Sequence, residues 1–213
     1  SFSFEVEENQ TTLNNDLSIG VDLGIKYLAI CSNGMVFKNI NKTKKVKKLK
    51  KRLKRLQKQV SRKYELNKQE NKFIKTNNII KLEKRIKLLH RKLSNIRNNH
   101  IHQATNKIIK LKPYRVVMED LNVKGMMKNK HLSKAIQEQG FYEFIRQMKY
   151  KCEFNGIQFI QADRYFPSSK LCSCCGSIKK DLKLKDRVYK CNCGLEIDRD
   201  KNASINLGNY GLA

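Results

Sequence analysis

The chain contains no tryptophan and only two prolines among its 213 residues, and acidic side chains are scarce. None of its apolar runs reaches the roughly 20 residues of a membrane span, and no stretch resembles a cleavable signal peptide. Without tryptophan or other bulky anchors on its basic segments, the sequence does not favour attachment to a membrane surface. Its length allows one good hydrophobic core, or one core plus a small appended module.

The scarcity of acids leaves a strongly basic chain, with 46 lysines and arginines against 19 aspartates and glutamates and a net charge of +27. Such an excess of one sign repels itself in a compact fold unless a polyanion relieves the repulsion. Nucleic acid is therefore the predicted partner, because its phosphates supply the missing negative charge.

Cysteine, by contrast, is abundant: there are seven, an odd number, and five of them lie between Cys172 and Cys193. In a chain without a recognisable secretion signal, this clustering favours a reducing compartment such as the cytoplasm, and metal binding over disulfides. Cys31 lies in a predicted strand and Cys152 on a predicted helix, so both are expected to be ordinary core residues.

Two pairs of cysteines have the spacing of a metal site. Cys172 and Cys175 form a C-x-x-C pair, and Cys191 and Cys193 form a C-x-C pair; a glycine that permits a tight turn follows each. The stretch between the pairs is long enough for a short hairpin, expected in LKLKDRVYK. Four thiolates brought together in this way predict a tetrahedral, structural Zn²⁺ site. Cys174 could replace Cys175, although the glycine after Cys175 favours Cys175.

The first forty residues contain segments with the pattern of β-strands. SFSFEVE alternates apolar and polar residues and is predicted to be a strand; because the chain begins there without methionine, we expect it to be the remnant of a longer N-terminal region. The segment LSIGVDLGIKYLAICSNGMVFKNI predicts strands at about 18–23, 26–32 and 35–40, with a hairpin at Asn33-Gly34.

Between residues 42 and 112 the composition changes, because basic residues dominate and acids are limited to Glu65, Glu70 and Glu83. Two narrow apolar stripes with spacings of three and four predict two long helices packed as an antiparallel hairpin, joined around 70–78. One-signed charge on this hairpin indicates that it lies along a nucleic-acid backbone, rather than being merely solvated. The stripes consist of Leu49, Leu53, Leu56 and Val60, and of Leu82, Ile86, Leu89, Leu93 and Ile96. The predicted nucleic-acid contacts are Lys47, Lys51, Arg55, Arg62, Lys84 and Arg91.

The remaining segments predict a mixed α/β core. Residues 114–123 contain a short buried strand that ends in two acids, 133–156 a single core-facing helix, and 157–163 a further strand. The last segment, DKNASINLGNYG, is predicted to form a short helix that ends near Gly208.

Four acids stand at positions where a charge needs a partner. Asp22 interrupts an apolar strand, Glu119 ends another, and Asp198 and Asp200 precede the last helix. Carboxylates that converge across a mixed sheet in a basic protein are what two-metal cleavage of a phosphodiester requires, with Mg²⁺ ions about 4 Å apart holding the attacking water and the leaving oxygen. Spacing alone does not distinguish Asp198 from Asp200, and aspartate is also common at helix N-caps.

Three parts of the sequence together resemble the acidic motifs and embedded zinc ribbon of a RuvC-like nuclease: SIGVDLGIKYLAICSNG, VVMEDLNVKGM, and FPSSKLCSCCG with YKCNCGLEIDRDKNASINL. The resemblance is to the TnpB/OrfB proteins of insertion sequences, relatives of the type V CRISPR effectors, and it extends from about residue 16 to residue 208. It implies an RNase H-like (RuvC) α/β fold with an inserted helical hairpin. It also implies an enzyme that cuts DNA with Mg²⁺ or Mn²⁺ under the guidance of an RNA.

Motif positions then assign roles to single residues. Asp200 stands just before x-Asn in the family's D-R-D-x-N-A-A-x-N signature, which makes Asp198 a supporting or alternative ligand. Arg199 and Asn202 match supporting positions near the scissile strand. The residues that match the catalytic, metal-holding carboxylates are Asp22, Glu119 and Asp200.

The resemblance also divides the chain into parts. The family's proteins are about twice this length, and their N-terminal half grips the target duplex and the guide RNA, so we expect this chain to be the nuclease half. The expected parts are a remnant strand and linker (1–15), a nuclease core (16–41, 113–170 and 196–213), the basic hairpin (42–112) and the zinc ribbon (171–195).

Two other functions fit part of the pattern. A non-catalytic nucleic-acid-binding protein, either a truncated relic or a regulator of transposition, would keep the zinc and the basic surface while its acids served the fold. A stand-alone, structure-selective nuclease would cut branched DNA without RNA, although a zinc ribbon between the last strand and the last helix argues against it.

Overall fold

The computed structural model describes residues 12–70, 72–183 and 185–212 of the chain. The predicted opening strand SFSFEVE lies outside these residues. The strands are β1 (Asn14–Leu23), β2 (Tyr27–Cys31), β3 (Val36–Lys38), β4 (Lys68–Gln69), β5 (Lys72–Phe73), β6 (Pro113–Glu119), β7 (Gln158–Ala162), β8 (Val188–Lys190) and β9 (Glu196–Asp198). The α-helices are α1 (Lys44–Leu66), α2 (Asn77–Ile109), α3 (Val123–Met127), α4 (Ser133–Gln139), α5 (Phe141–Phe154) and α6 (Arg199–Gly208).

Two compact units make up the described residues. One contains the residues up to Lys38 and from Ile101 onward, and the other is Asn39–His100. The first unit is built on a five-stranded sheet in the order β3-β2-β1-β6-β7. Strand β2 is antiparallel to β1 and β3, whereas β6 is parallel to both β1 and β7. The predicted mixed α/β character and the three early strands are confirmed.

The two faces of this sheet bury different sets of side chains. Because side chains alternate along a strand, Ile19 and Val21 of β1 share one face with Val116 and Met118 of β6. These four residues belong to the main core, which the C-terminal part of α2 and helix α5 complete. On the opposite face, Val117 packs with residues of β7 and α6 in a smaller cluster.

Helix α6 approaches β1 so closely that only glycine fits at the contact. An ideal Cβ on Gly20 would lie 2.0 Å from the Ser204 carbonyl oxygen and 2.2 Å from the Gly208 nitrogen. The Ser18 hydroxyl donates a hydrogen bond of 2.6 Å to the Gly208 carbonyl, which is also the acceptor for the Arg115 guanidinium at 3.0 Å. These contacts fix the helix along the strand at backbone distance.

The segment 133–156 differs from the predicted single helix. It forms two helices, α4 and α5, separated by Gly140, whose φ of +70° is the left-handed conformation that glycine adopts without strain. Every fourth residue from Ile136 to Cys152 is apolar or glycine, which is why the sequence predicts one core-facing helix here, and Ile136, Phe144 and Met148 of this series are indeed buried. Gly140 belongs to the same series, so the helical spacing gives no sign of the break.

The second unit consists of helix α1 and most of α2. Leu53 of α1 and Leu89 and Leu93 of α2 share a small apolar cluster with Val46. Contacts pair the end of α1 with the first turns of α2, where Tyr64 donates a hydrogen bond of 2.7 Å to Glu83. Arg97, late in α2, donates to Asn41 just before α1, so the two helices run in opposite directions.

Basic side chains of this unit point into solvent. All six residues predicted to contact nucleic acid are exposed. The short connection between the helices contains the two-residue strands β4 and β5, which pair with each other. Every helix in the described parts of the chain is too short or too polar to serve as a membrane span.

Replacing Gly20 by alanine is expected to unfold or strongly destabilise the first unit. The new methyl group would overlap backbone atoms of α6, which cannot move aside as a flexible side chain can. We expect a loss of at least about 2 kcal/mol in the free energy of unfolding, measured by denaturant titration. Gly24→Ala is the matched control, because its Cβ would meet only the Tyr27 carbonyl oxygen at 3.4 Å. Equal stability of the two variants would contradict the backbone contact.

Candidate active site

Asp22 and Glu119 occupy equivalent positions on neighbouring parallel strands. The register pairs Val21 of β1 with Met118 of β6, so the next residue on each strand is an acid. Both carboxylates therefore lie at the carboxyl ends of their strands and project from the same face, the one that α6 covers. This placement brings together the two acids that the sequence singled out.

Asp200 reaches the same region through α6. It lies in the first turn of the helix, and its side chain is only 20% exposed. Lys201 next to it donates hydrogen bonds to the carbonyl oxygens of Ser32, at 2.6 Å, and Cys31, at 3.2 Å. Since those carbonyls belong to the end of β2 and the turn after it, they hold the start of α6 beside the sheet while Gly20 admits the rest of the helix.

The acids influence one another electrostatically. Burial raises the pKa of Asp22 well above its usual range, and the negative charges of Glu119 and Asp200 raise it further. The positive charge of Arg199 acts in the opposite direction and lowers the pKa of Asp22. Asp22, Glu119 and Asp200 thus form one group, called here the acidic cluster, in which like charges repel.

Within the described residues, one group of three or more possible ligands is close enough to hold a single metal ion, and it consists of four cysteines. The three carboxylates do not form such a group.

Glu119 has a partner that the sequence pattern did not reveal. The hydroxyl of Ser168, a residue only 2% exposed, donates a hydrogen bond to Glu119 Oε1. The Ser168 carbonyl in turn accepts a hydrogen bond of 2.7 Å from the Asn206 side chain of α6. The only signal in the sequence was a serine pair shortly before the first cysteines, which by itself indicates no such contact.

Asn202 is placed inside the fold. It is fully buried; its amide nitrogen donates to the Leu171 carbonyl at 2.6 Å, and its oxygen accepts from the Ser173 N–H at 3.1 Å. Asn206 donates to the same Leu171 carbonyl at 2.7 Å. These two asparagines tie α6 to the chain around the first cysteine, and the predicted position of Asn202 near the scissile strand stays a prediction.

Asp198 and Arg199 flank the acidic cluster in different ways. Asp198 is exposed and caps α6, because its Oδ1 accepts hydrogen bonds from the N–H groups of Asp200, at 3.0 Å, and Lys201, at 3.2 Å. Arg199 lies 3.6 Å from the Asp200 carboxylate in an ion pair and donates to the Lys183 carbonyl at 3.4 Å. Asp198 thus holds the first turn of the helix that carries Asp200, and Arg199 offsets part of the Asp200 charge.

The four predicted cysteine ligands converge. The sulfurs of Cys172 and Cys193 are 3.6 Å apart, as are those of Cys175 and Cys191, and all four lie within 4.8 Å of one another. A tetrahedral ion with metal–sulfur bonds of 2.3 Å places its sulfurs about 3.8 Å apart, so the cluster fits such an ion. Cys174 is exposed and lies outside the cluster, whereas Cys175 belongs to it.

The two cysteine pairs form similar turns. In one, the Gly176 N–H donates to the Cys172 carbonyl at 3.0 Å; in the other, the Gly194 N–H donates to the Cys191 carbonyl at 3.0 Å. Both glycines have positive φ, 73° and 90°, which fits the tight turns expected after each cysteine pair. A hydrogen bond from the Cys193 backbone N–H, helped by the Ser177 hydroxyl, lowers the pKa of Cys191 to about 6 and so favours the thiolate that binds metal.

The hairpin of this cysteine module lies elsewhere than predicted. In the part of this module that the structure describes, the paired strands are β8 and β9, which lie on either side of the second cysteine pair, and Tyr189 faces Ile197. The fully buried Tyr189 donates a hydrogen bond of 3.1 Å to the Lys170 carbonyl. Because β9 ends at Asp198 and α6 begins at Arg199, the module passes directly into the helix that carries Asp200.

Sequence comparisons agree with this arrangement. The sequence model of the OrfB_IS605 family, described as "Probable transposase", matches residues 1–130, and that of the Cas12f1-like TNB domain matches residues 141–207. A "Putative RNA-guided DNA endonuclease" of Streptomyces pristinaespiralis is 32% identical over 196 residues, covering 92% of this chain and 46% of the relative. The "Putative RNA-guided DNA endonuclease InsQ" of Escherichia coli K12 is 31% identical over 188 residues, covering 81% of this chain and 43% of the relative.

Solved structures show the same fold. The protein in "Cryo-EM structure of CRISPR-Cas12f Ternary Complex" superposes with a TM-score of 0.69 at 23% identity, covering 98% of this chain and 41% of that one. The protein in "Cryo-EM structure of the Cas12f1-sgRNA-target DNA complex" superposes with a TM-score of 0.59 at 19% identity, covering 94% of this chain and 51% of that one. At these identities the likeness concerns the fold.

The family model that matches residues 1–130 places this protein in the class of insertion-sequence proteins described as probable transposases, and its fold is the one seen in the Cas12f structures. The chain belongs to the OrfB_IS605 family, the TnpB/OrfB proteins, which confirms the resemblance seen in the sequence. It spans less than half the length of the two curated relatives described above.

The cysteine cluster is expected to hold one metal ion per chain. Replacing Cys172 by serine removes a buried ligand, so we expect the bound metal to be lost and the chain to become less stable. Elemental analysis of the purified protein measures the metal, and thermal denaturation measures the stability. Cys174→Ser is the matched control and should keep a full complement; equal metal content in both variants would contradict the assigned ligands.

Asp22→Asn is expected to stabilise the protein when no divalent ion is added. The raised pKa means that the folded state binds the Asp22 proton more tightly than the unfolded state, so stability falls as the pH rises from the unfolded pKa through the folded one. At neutral pH, asparagine removes the repulsion, and we expect a higher melting temperature by about 2–4 °C, the change that 1 kcal/mol produces at this size.

The control for this stability measurement is Asp16→Asn, which makes the same change at an exposed position on the same strand. It should leave the melting temperature unchanged. The advantage of Asp22→Asn should shrink when Mg²⁺ or Mn²⁺ is added, because a cation stabilises only the wild-type carboxylate. A destabilised Asp22→Asn variant at neutral pH would refute the assigned repulsion.

Proposed function

We propose that this protein is a nuclease that hydrolyses DNA phosphodiester bonds with divalent cations held by Asp22, Glu119 and Asp200. One observation carries the proposal: two acids at matching positions of parallel strands share a cluster with a third acid, brought in by a helix packed on Gly20. In a chain of net charge +27, such a concentration of negative charge needs a cationic ligand.

The strand order supports an RNase H-like (RuvC) core for this nuclease. Strand β2 is antiparallel to its neighbours β3 and β1, and β6 and β7 run parallel to β1. Asp22 and Glu119 lie at the ends of the neighbouring strands β1 and β6. In the proposed division, the core is completed by a basic helical hairpin and by a zinc ribbon around the four cysteines. Zinc is the proposed ion there, because a closed tetrahedral site of four thiolates is typical of structural zinc.

The residues of the acidic cluster suit Mg²⁺ or Mn²⁺. These hard cations prefer carboxylate oxygens, and their positive charge would offset the repulsion that raises the pKa of Asp22. When bound, the cations supply Lewis-acid stabilisation of the charge that develops on the phosphate and make a water molecule more acidic.

The chain's own side chains provide orientation around this chemistry. Ser168 fixes one oxygen of Glu119, which leaves the other oxygen of that carboxylate for a cation. Lys201 anchors the first turn of α6 and thereby the position of Asp200. Holding ligands in place before substrate arrives avoids reorganisation during the reaction.

The exposed basic residues of α1 and α2 are proposed to bind the nucleic-acid backbone. Lys47, Lys51 and Arg55 follow one another along the exposed side of α1, and their charges match phosphates rather than bases. Guidance by an RNA is proposed for the whole protein, because the names of its relatives include "RNA-guided DNA endonuclease". This chain spans less than half of those relatives, so its own contribution is proposed to be the cutting site.

Cleavage of labelled single-stranded DNA in Mg²⁺ or Mn²⁺ tests the proposal. The purified chain is expected to nick the DNA, and Asp22→Ala to reduce the rate by roughly 10²–10³-fold, the scale seen when an electrostatic stabiliser of the transition state is removed. Asp16→Ala, the matched exposed acid, should cleave at the wild-type rate.

A binding measurement on the same proteins separates the alternatives. If wild type and Asp22→Ala are equally inert while both bind the DNA, this chain is a nucleic-acid-binding protein without catalysis of its own. Cleavage that survives intact in Asp22→Ala would point to a contaminating nuclease and would also contradict the proposal.

A further inference from the structure

We propose that Tyr165 is a stacking platform for an unpaired base of single-stranded DNA, presented beside the acidic cluster. The inference rests on the proposed function in one respect, since it takes DNA to be the substrate. It adds a contact to a base, which neither the basic helices nor the carboxylates provide.

The position of Tyr165 follows from the strand register. Strand β7 is parallel to β6, and Ala162 at its end pairs with Glu119. The loop that contains Tyr165 therefore leaves the sheet at the edge where the acidic cluster lies. On either side of the tyrosine, this loop contacts the end of β6: Arg164 forms an ion pair of 2.5 Å with Asp120, and Ser168 donates to Glu119.

The loop is held firmly around the tyrosine. Its backbone forms a turn in which the Tyr165 N–H donates to the Asp163 carboxylate at 2.7 Å and the Phe166 N–H donates to the Asp163 carbonyl at 3.0 Å. The Phe166 ring packs edge-to-face on Tyr210, with ring centroids 4.9 Å apart. The Tyr210 hydroxyl also accepts a hydrogen bond of 3.2 Å from the Asp163 N–H.

Tyr165 itself is left outside this packing. Tyr165 is 87% exposed, the highest value among the large apolar residues in the described parts of the chain. Phe166 beside it packs inward instead. An aromatic ring on an anchored turn has little freedom to lose when another ring stacks on it. Every base has a π-face, so such a ring can stack on single-stranded DNA with little dependence on sequence.

The neighbouring charge favours a nucleic-acid base over an apolar protein segment as the occupant. Arg164 precedes the tyrosine and Lys170 follows shortly after it, in a chain whose net charge is +27. Because Arg164 is paired with Asp120, the attraction for the phosphates next to a stacked base comes from Lys170 and from the net charge of the chain. A base held at Tyr165 would fix the strand next to the carboxylates that are proposed to act on its backbone.

The absence of tryptophan from the chain allows a direct test. Tyr165→Trp introduces a single fluorescent indole, and its emission should be quenched when an oligothymidine strand binds. An abasic oligomer of the same length, with deoxyribose phosphates only, should bind through its charges yet leave the emission unchanged. Both titrations use protein that also carries Asp22→Asn, without added divalent ions, so that the strand stays intact.

Tyr142→Trp is the matched control. It makes the same substitution at a residue that is 70% exposed and lies on α5, against the opposite face of the sheet. Its emission should not distinguish oligothymidine from the abasic oligomer. A labelled oligomer followed by anisotropy measures binding independently of the indole.

Two further variants measure the contribution of the ring. Tyr165→Phe should keep the affinity for oligothymidine, whereas Tyr165→Ala should weaken it by roughly tenfold. The salt dependence of binding should be the same for both, since neither change removes a positive charge.

Three outcomes would overturn the stacking site: equal quenching by the abasic oligomer, no quenching while oligothymidine binds, or no binding of oligothymidine at all. None of them decides the proposed nuclease function, which depends on cleavage and on Asp22. Conversely, base-dependent quenching in a chain that does not cut DNA would establish the stacking site and reject the catalytic proposal.

Discussion

The contact between Gly20 and α6 is the constraint on which the candidate site depends. A side chain at this point would push the helix away from β1, and the helix carries Asp200 at one end and the carbonyl that Ser18 and Arg115 bind at the other. The same helix supplies the two asparagines that hold the loop next to Glu119. This backbone-to-backbone approach therefore sets the position of Asp200 relative to Asp22 and Glu119, whose own relative position follows from the strand register.

Two different kinds of site adjoin in this protein, and they place opposite demands on the fold. The cysteine cluster is compact and closed, so an ion there would stabilise the structure. The acidic cluster holds like charges that repel one another, so without cations it opposes folding. Their connection is short: β9 leaves the cysteine module and becomes α6 at once. The module can thus hold in place a helix whose first turn is electrostatically unfavourable.

Much of this arrangement could be predicted from the sequence, because some residues violate the local pattern. The charge of Asp22 in an apolar strand indicated the acidic site, and the two closely spaced cysteine pairs indicated the metal site. The strands and the long helices were predicted from the periodicity of apolar residues. The break at Gly140 was missed because this glycine lies four residues from both Ile136 and Phe144, as it would in one continuous helix. Ser168 and Asn206 were missed because their roles arise from contacts between segments far apart in the chain. Asp198 and Asp200 look alike in the sequence, and only the N-cap geometry shows Asp198 engaged with the backbone.

The register between β1 and β6 has a consequence for the order of folding. These neighbouring strands are separated in the chain by the whole of Asn39–His100, whose helices form their turns from local contacts and pack on each other within that segment. Local contacts form quickly, whereas pairing two distant strands must first overcome the entropy of closing a long loop. During synthesis, the basic helices can therefore exist before β6 has joined the sheet. The basic helices proposed to bind nucleic acid would thus form before the three carboxylates of the acidic cluster come together.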